Sequence, residues 1–213
     1  MAVNGTTAKL GRRADPASDR ITVDGAIIIV RDDLVYYLLN KPRHVVTTMS
    51  DPQGRHTVAE LVPDDPRVFP VGRLDFDSEG LLFLTNDGEL AHLLMHPSSE
   101  VPKVYMAEVE GAPSRGALRS LREGVDLDEG RTAPALARVV ETHGDVTLVE
   151  LVIREGRNRQ IRRMCDAVGH PVRRLVRTRI GPIGDPKLPP GAWRELSQDE
   201  VRKLYELVKE TPV

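Results

Sequence analysis

The segment 71–80 carries three acidic side chains at alternating positions, Asp75, Asp77 and Glu79. Counted from Asp75, this spacing begins like a calcium-binding loop. The twelfth position, however, is Asn86 rather than a bidentate glutamate, and the intervening residues form an apolar run instead of the rest of a loop. The pattern therefore excludes a calcium loop, and it favours solvent-exposed acids at Asp77 and Glu79.

Asp75 differs from its two acidic neighbours because it follows Arg73 and Leu74 at the entrance to a buried strand. A carboxylate in such a place can act as a nucleophile or general base, provided that a cation keeps it ionised. The segment 154–179 can supply the cation, since it holds nine arginines and two acidic residues, a local charge of +7 in a chain of net charge −2. Guanidinium groups favour phosphate oxygens, so this segment predicts an anion-binding surface; charge alone leaves a solvated helix face equally open.

Residue periodicity predicts the elements that position these groups. In 158–168 apolar residues recur at positions i, i+3, i+4 and i+7 and arginines occupy the other side, which predicts an amphipathic helix. The apolar residues are Ile161, Met164, Cys165 and Val168, and the arginines are Arg159, Arg162 and Arg163. Strands outnumber helices without βαβ alternation, which predicts an α+β fold on a mixed, mostly antiparallel sheet. The other predicted helices are 89–95, 114–121 and 198–209, and the predicted strands are 21–25, 34–40, 81–85, 104–109, 135–141 and 146–153.

The composition narrows the class of protein. With 213 residues, 40% hydrophobic and 29% charged, the chain is typical of a globular protein. No apolar run approaches the roughly 20 residues of a membrane span and no signal peptide is present, so we expect a cytoplasmic protein. The single cysteine, Cys165, excludes a disulfide scaffold. His92 and His96 have metal-ligand spacing but no evident third ligand, and no nucleotide-binding glycine loop occurs, so neither metal nor cofactor is expected.

Several motifs resemble those of the RsuA/RluB-type ribosomal pseudouridine synthases. Gly-Arg-Leu-Asp at 72–75, continuing through 80–88, is similar to the catalytic motif, and 102–105 and 155–164 are similar to the second and third motifs. Residues 174–177, and 40–42 with 45–48, also match, so that the resemblance covers roughly 34–207. It implies the pseudouridine synthase fold, with helices flanking the sheet and an RNA-binding cleft. The third motif is closer to the large-subunit branch.

The resemblance also implies roles for individual residues. Asp75 would be the essential aspartate, which attacks or deprotonates the target nucleoside so that uracil detaches, rotates and rejoins through carbon 5. Tyr105 would lie against the base and Arg162 would pair with Asp75. The base pocket would include Leu74 and Leu175, and Arg73 would fill the gap left by the flipped uridine. The further RNA contacts would be Lys41, Lys103, Arg157, Asn158, Arg159, Gln160, Arg163, Arg173, Arg174 and Arg177.

The resulting hypothesis is a monomeric isomerase that converts a specific uridine of ribosomal RNA to pseudouridine. The third motif favours an RNA of the large subunit. Its partner would be ribosomal RNA or a ribosome-assembly intermediate, without membrane, metal or cofactor. The alternative is a catalytically idle RNA-binding or assembly factor, which would keep the arginines but would not require Asp75, Tyr105 and Arg162 together.

Two features depart from the family pattern. His44 stands where members usually have glycine. Residues 1–30 match only the β part of a ribosomal-protein-four-like RNA-binding module, and residues 31–213 form the predicted catalytic domain. A shortened module of this kind predicts weak RNA binding by the chain alone.

Overall fold

The computed structural model describes residues 1–9, 11–14, 19–23, 25–28 and 33–209. The chain divides into two units, Met1–Leu34 and Val35–Val213. The domain boundary predicted after residue 30 falls at residues 29–32, which lie outside the described part. The first unit holds a four-stranded antiparallel sheet in the order β2-β1-β3-β4, made of β1 (Ala2–Val3), β2 (Thr6–Thr7), β3 (Ile21–Val23) and β4 (Ala26–Ile28).

The second unit is built on one large sheet. In chain order its described strands, with the separate hairpin β9–β10, are β5 (Tyr36–Lys41), β6 (Phe69–Val71), β7 (Glu79–Thr85), β8 (Lys103–Glu110), β9 (Asp126–Leu127), β10 (Gly130–Arg131), β11 (Leu136–His143), β12 (Val146–Ile153), β13 (Val172–Ile180), β14 (Ile183–Gly184) and β15 (Trp193–Glu195). The main path is β11-β12-β8-β13-β7-β5-β15, with β14 beside β13 and β6 beside β7. Among the described strands, β7 and β13 form the one parallel pair, which confirms the predicted α+β class with a mostly antiparallel sheet.

Four helices flank this sheet, each at a predicted place. They are α1 (Gly88–Met95), α2 (Arg115–Glu123), α3 (Gln160–Ala167) and α4 (Gln198–Lys209). Side-chain caps fix where two of them begin, since Asp87 accepts from the Leu90 N–H and Ser114 from the Ala117 N–H. None of the helices in the described residues is both long and apolar enough to span a membrane.

The central strands are buried on both faces. Along β5 and β7, Leu39 and Leu82 point to one face and Leu38 and Phe83 to the other, as the two-residue period of a strand requires. Helices α2 and α3 cover the first face and α1 and α4 cover the second. The predicted apolar stripe of α3 is confirmed, because its Met164 is fully buried in the first cluster. Because helices pack on both faces of the sheet, the strand ends that carry the functional loops are held in fixed positions.

Strand β13 lies in the middle of the sheet although its sequence predicts no strand. Four of its nine residues are arginines, which hides the alternation of an ordinary half-buried strand. Its parallel partner β7 approaches very closely where Gly80 is paired with Arg177. A Cβ atom at Gly80 would lie 2.2 Å from the Arg177 carbonyl oxygen, and Gly80 also has a φ of +111°. Only glycine satisfies both constraints at this position.

Gly80→Ala is expected to destabilise the protein by about 2–4 kcal/mol, because the added methyl group strains the backbone and pushes β7 away from β13. Gly88→Ala is the matched control, since Gly88 has no atom within 4 Å of its Cβ position and begins α1. Urea unfolding of both variants measures the effect. Equal midpoints for the two variants would show that the close strand approach does not limit this position.

Candidate active site

A cleft of about 630 Å³ brings together residues from four separate regions of the chain. Its walls come from the loop before β7, from the end of α1 with the following segment and β8, from β13, and from the segment that leads into α3. Most of the predicted site residues line it: Arg73, Leu74, Asp75, Lys103, Tyr105, Arg157, Asn158, Arg159, Gln160, Leu175 and Arg177. Five predicted residues do not: Lys41, Arg162, Arg163, Arg173 and Arg174.

Hydrogen bonds to the backbone fix the loop that carries Asp75. The Thr47 hydroxyl donates to the Leu74 carbonyl at 2.7 Å and accepts from the Leu74 N–H at 3.2 Å. The His44 N–H donates to the Phe76 carbonyl at 2.7 Å. His44 has a φ of +62°, the left-handed region that favours glycine, which explains why this is a position where glycine suits the family. The loop thereby presents the Asp75 carboxylate, with 30% of the side chain exposed, to the cleft.

Asp77 joins this loop to the start of α3. Both Nη atoms of Arg159 donate to the two carboxylate oxygens of Asp77 at 2.8 Å. Arg162 donates from Nη2 to the Asp77 carbonyl at 2.9 Å, and its Nε lies 3.3 Å from Asp77 Oδ2. The hydrogen bond from Arg159 is the main reason that the pKa of Asp77 lies below its ordinary value. One carboxylate thus holds two guanidinium groups beside Asp75.

The structure therefore corrects two expectations about charge. The predicted pair of Arg162 with Asp75 is wrong: the turn after Asp75 directs Asp77 towards α3, and Arg162 binds Asp77 instead. The cation nearest to Asp75 is Arg159, whose Nη1 lies 4.0 Å from Asp75 Oδ2. Asp77 is consequently not a solvated surface acid, as its position in the sequence had indicated.

Glu79 is not a solvated acid either. It is only 7% exposed, and it accepts hydrogen bonds from Arg174 at 2.9 and 3.1 Å. These bonds are the main reason that its pKa is lowered, against the opposing effect of burial. Because the first residue of β7 lies opposite β13, the glutamate becomes the partner of a β13 arginine rather than of water.

Lys41 cannot contact RNA in this conformation, which contradicts the sequence prediction. It is fully buried, and its Nζ donates to the carbonyls of Pro42 and Val45 at 2.9 Å. Burial lowers the pKa of Lys41 to about 8, although the charges of nearby carboxylates, Asp75 first, act in the opposite direction. Lys41 therefore fixes the turn after β5 that in turn supports the Asp75 loop.

Two residues of the third motif also have their polar groups occupied within the protein. Gln160 is 3% exposed, its amide donates to Glu155 at 2.5 Å, and its oxygen accepts from the Arg157 N–H. The Arg157 guanidinium donates to Glu155 and to the carbonyls of Gly130 and Arg131. Both residues shape the segment before α3, so the structure gives no support to direct RNA contacts from them.

The three predicted RNA-binding arginines outside the cleft are paired with carboxylates. Arg163 binds Glu129 at 2.6 Å, Arg173 binds Asp145 at 2.8 Å and Glu110 at 3.2 Å, and Arg174 binds Glu79. Contacts between these arginines and RNA stay a prediction, and they would require phosphate to replace a carboxylate partner.

Sequence reasoning missed four residues with polar or charged side chains that line the cleft: Ser78, His96, Arg154 and Glu155. Ser78 and Glu155 lie inside recognised motifs, so their positions gave a signal that was not used. His96 follows α1 and is near the cleft only through the folding of the chain, which no local pattern reveals.

The chemistry of the cleft suits a flat, partly polar ring. The alternation of β8 places Tyr105 and Lys103 on the same face of the strand, and Tyr105 is 8% exposed. Leu74 and Leu175 are buried and add apolar walls to the same cleft. Residues 35–167 match the family model described as RNA pseudouridylate synthase. The chain belongs to this family.

Curated relatives of this pseudouridylate synthase support the assignment over most of its length. An uncharacterized RNA pseudouridine synthase of Mycobacterium tuberculosis (strain H37Rv) is 48% identical over 94% of this chain and 80% of the relative. The ribosomal large subunit pseudouridine synthase B of Bacillus subtilis is 43% identical over 97% of this chain and 86% of the relative. A solved pseudouridylate synthase structure superposes with a TM-score of 0.74 at 30% identity, covering 95% of this chain and 87% of the other.

Asp77→Asn is expected to lower the rate of isomerisation by about 10- to 100-fold, because a neutral amide no longer holds Arg159 and Arg162 beside Asp75. Single-turnover release of tritium from RNA labelled at carbon 5 of uridine measures this rate. The control is Asp199→Asn, which also removes an arginine partner, Arg202, but on the exposed face of α4. A wild-type rate in Asp77→Asn would mean that the clamp does not position the site.

Proposed function

We propose that this pseudouridine synthase isomerises a specific uridine in large-subunit ribosomal RNA. The observation that carries the proposal is the cleft in which the Asp75 carboxylate faces the same space as Tyr105, Leu74 and Leu175. The relatives named ribosomal large subunit pseudouridine synthase B, in Bacillus subtilis at 43% identity and in Escherichia coli O157:H7 at 40%, support the choice of subunit. The substrate would be the RNA itself or a ribosome-assembly intermediate in the cytoplasm, bound by a monomer.

The target uridine would leave its stack and enter the cleft, where Tyr105 packs against the base. Asp75 would then attack the ribose at C1′ or remove a proton from it while the bond between N1 and C1′ breaks. The detached uracil rotates and C5 forms the new bond to C1′, while the Asp75–C1′ bond breaks or, in the other route, Asp75 returns the ribose proton. The C5 proton is then lost to water and N1 takes up a proton from water. Substrate and product are isomers, so the overall reaction consumes no oxidant, reductant or nucleotide.

Residues at the mouth of the cleft would hold the RNA. Arg73 is exposed and adjoins Leu74, so its side chain can fill the gap that the flipped nucleotide leaves. Arg159, with 44% of its side chain exposed, can exchange one Asp77 oxygen for a phosphate oxygen. Arg162, only 12% exposed and outside the cleft lining, acts as a positioning residue through Asp77 rather than on the substrate. Binding that uses such arginines weakens as salt concentration rises.

We also retain the interpretation that residues 1–30 are the β part of a ribosomal-protein-four-like module and residues 31–213 the catalytic domain. The four short strands within Met1–Leu34 support it. The expectation of weak RNA binding by the chain alone stays a prediction.

Asp75→Asn is expected to reduce tritium release from large-subunit RNA transcript by at least about 1,000-fold, since the amide is neither nucleophile nor base. Release by the wild type together with its loss in Asp75→Asn supports the isomerase. The control Asp126→Asn alters an aspartate with 82% of its side chain exposed and should retain the wild-type rate. If the wild type and both variants bind RNA but release no tritium from either large-subunit or small-subunit transcript, the result would favour the idle RNA-binding factor.

A further inference from the structure

We propose that Lys103 and Arg177 form a cation pair in the wall of the cleft that donates hydrogen bonds to the carbonyl oxygens of the flipped uracil and stabilises its negative charge while the base is detached. The inference rests on the proposed function and deepens it. Lys103 and Arg177 would then be catalytic residues, rather than two of many phosphate contacts.

Arg177 is unlike most arginines of its segment. Of the nine between 154 and 179, six form ion pairs with carboxylates, and Arg177 does not. It is 4% exposed, its Nε donates to the Leu81 carbonyl at 2.7 Å, and its Nη2 is buried with no hydrogen-bond partner in the described structure. A buried guanidinium without a counter-charge is costly, so an acceptor from outside the protein is expected.

Ser78 provides a second polar atom of this kind. Ser78 is only 1% exposed, and it lines the same cleft. Its Oγ has no hydrogen-bond partner among the described residues. Ser78 precedes β7 by one residue, and Gly80 on β7 is paired with Arg177. Two polar groups that lack partners therefore lie on adjoining segments of one cleft wall.

Lys103 completes the pair from the neighbouring strand. It lies on β8, which is paired with β13, and it lines the cleft two residues from Tyr105. Its Nζ makes one hydrogen bond, to the Val101 carbonyl at 3.2 Å, although an ammonium group has three donors. Burial first, and the charge of Arg177 second, lower the pKa of Lys103 to about 8.

The depth of these residues favours the base over the phosphate as their ligand. A flipped nucleotide enters a cleft base first, while its phosphates remain joined to the RNA strands at the mouth. The exposed Arg73 and Arg159 occupy the mouth, whereas Arg177 is almost completely buried. Cations at this depth meet the uracil ring, whose acceptors are the O2 and O4 carbonyl oxygens.

The reaction gives those oxygens a charge to stabilise. When the bond between N1 and C1′ breaks, its electron pair leaves with the base, so detached uracil is an anion with charge shared among N1, O2 and O4. The electron-deficient C1′ is compensated by a bond to Asp75 or by loss of a ribose proton. An electron pair of the base then forms the bond from C5 to C1′ as the bond to Asp75 breaks or the ribose proton returns. The C5 proton leaves to water, and N1 takes up a proton. Fixed cations next to O2 or O4 favour the anion over both bonded states.

The same pair explains how the ring can turn without losing its contacts. Rotation that exchanges N1 with C5 also exchanges C2 with C4, so O4 arrives where O2 was. Lysine and arginine only donate hydrogen bonds, and uracil offers them an acceptor in either orientation. Cytosine presents an amino donor at carbon 4, which two cations oppose. The pair therefore also predicts discrimination against cytidine at the target position.

Lys103→Met tests the proposal, because methionine keeps the aliphatic packing and removes the charge. Tritium release under single-turnover conditions with saturating enzyme should fall about 100-fold, the usual cost of losing one such donor. The RNA dissociation constant and its salt dependence, measured by filter binding, should stay at wild-type values. Lys203→Met, an exposed lysine of α4, is the matched control and should leave every quantity unchanged.

The outcomes separate this inference from its rivals. An unchanged release rate in Lys103→Met overturns it. Weaker binding with a salt dependence reduced by about one phosphate contact, and a normal rate at saturation, also overturns it and assigns Lys103 to a phosphate. If the wild type itself releases no tritium, the proposed isomerase function fails, which is a distinct result.

A pH profile supplies a readout that a structural role would not move. The wild-type rate should fall as pH rises through about 8, because Lys103 loses its proton there, and Lys103→Arg should move that fall to higher pH. The charged groups that face the cleft from the surrounding elements are Arg73, Asp75, His96, Arg154, Glu155, Arg157, Arg159 and Arg177.

Two substitutions of Arg177 provide an independent test of the role of its charge. Arg177→Lys keeps the charge and should retain more activity than Arg177→Gln, with thermal unfolding of both showing whether they remain folded. Arg179→Gln on the exposed side of β13 is the control. Equal rates for folded Arg177→Lys and Arg177→Gln would contradict a role for the charge.

Discussion

The ion pairs of Asp77 with Arg159 and Arg162 are the interaction on which the geometry of the site depends. They join the loop before β7 directly to the start of α3, which share one buried apolar cluster. The carboxylate brings two cations towards Asp75 and neutralises part of their mutual repulsion. It also leaves Arg159 able to contact RNA at the cleft mouth, while Arg162 stays largely buried as a brace.

A second constraint is the narrow gap between β7 and β13, which excludes any side chain at Gly80. Across that gap Arg177 is paired with Gly80, and Arg174 forms an ion pair with Glu79. Most of the charges in this region are therefore paired within the protein. Glu79 neutralises Arg174, Asp77 neutralises the arginines near α3, and Arg177 is left as a buried cation in the cleft wall.

The sequence was sufficient to predict the parts of the fold that depend on local periodicity. Helix α4 has the predicted bounds, and the stripe containing Met164 is buried as expected. Strand β13 could not be predicted in this way, because an arginine, Arg177, takes one of its buried positions between Leu175 and Ile180. The strand therefore lacks the regular apolar and polar alternation. Its place at the centre of the sheet is decided by long-range pairing, which leaves no local signal.

The candidate site shows the same division. Motif similarity identified Asp75 and Tyr105, and the fold places both in one cleft. It could not assign partners, because Asp75 and Asp77 are two residues apart and only the turn decides which of them faces Arg162. Burial was equally invisible for Lys41, whose type suggested a surface cation although its ammonium group serves two backbone carbonyls.

The distances in sequence between contacting groups have a consequence for biosynthesis. Arg162 meets the Asp77 carbonyl across 85 residues, and Arg177 meets the Leu81 carbonyl across 96. Contacts that close such long loops form late in folding because their entropic cost must be met first. A nascent chain that has exposed Asp75 therefore has no organised cleft until β13 has left the ribosome, so the site cannot form during synthesis of the segment between them.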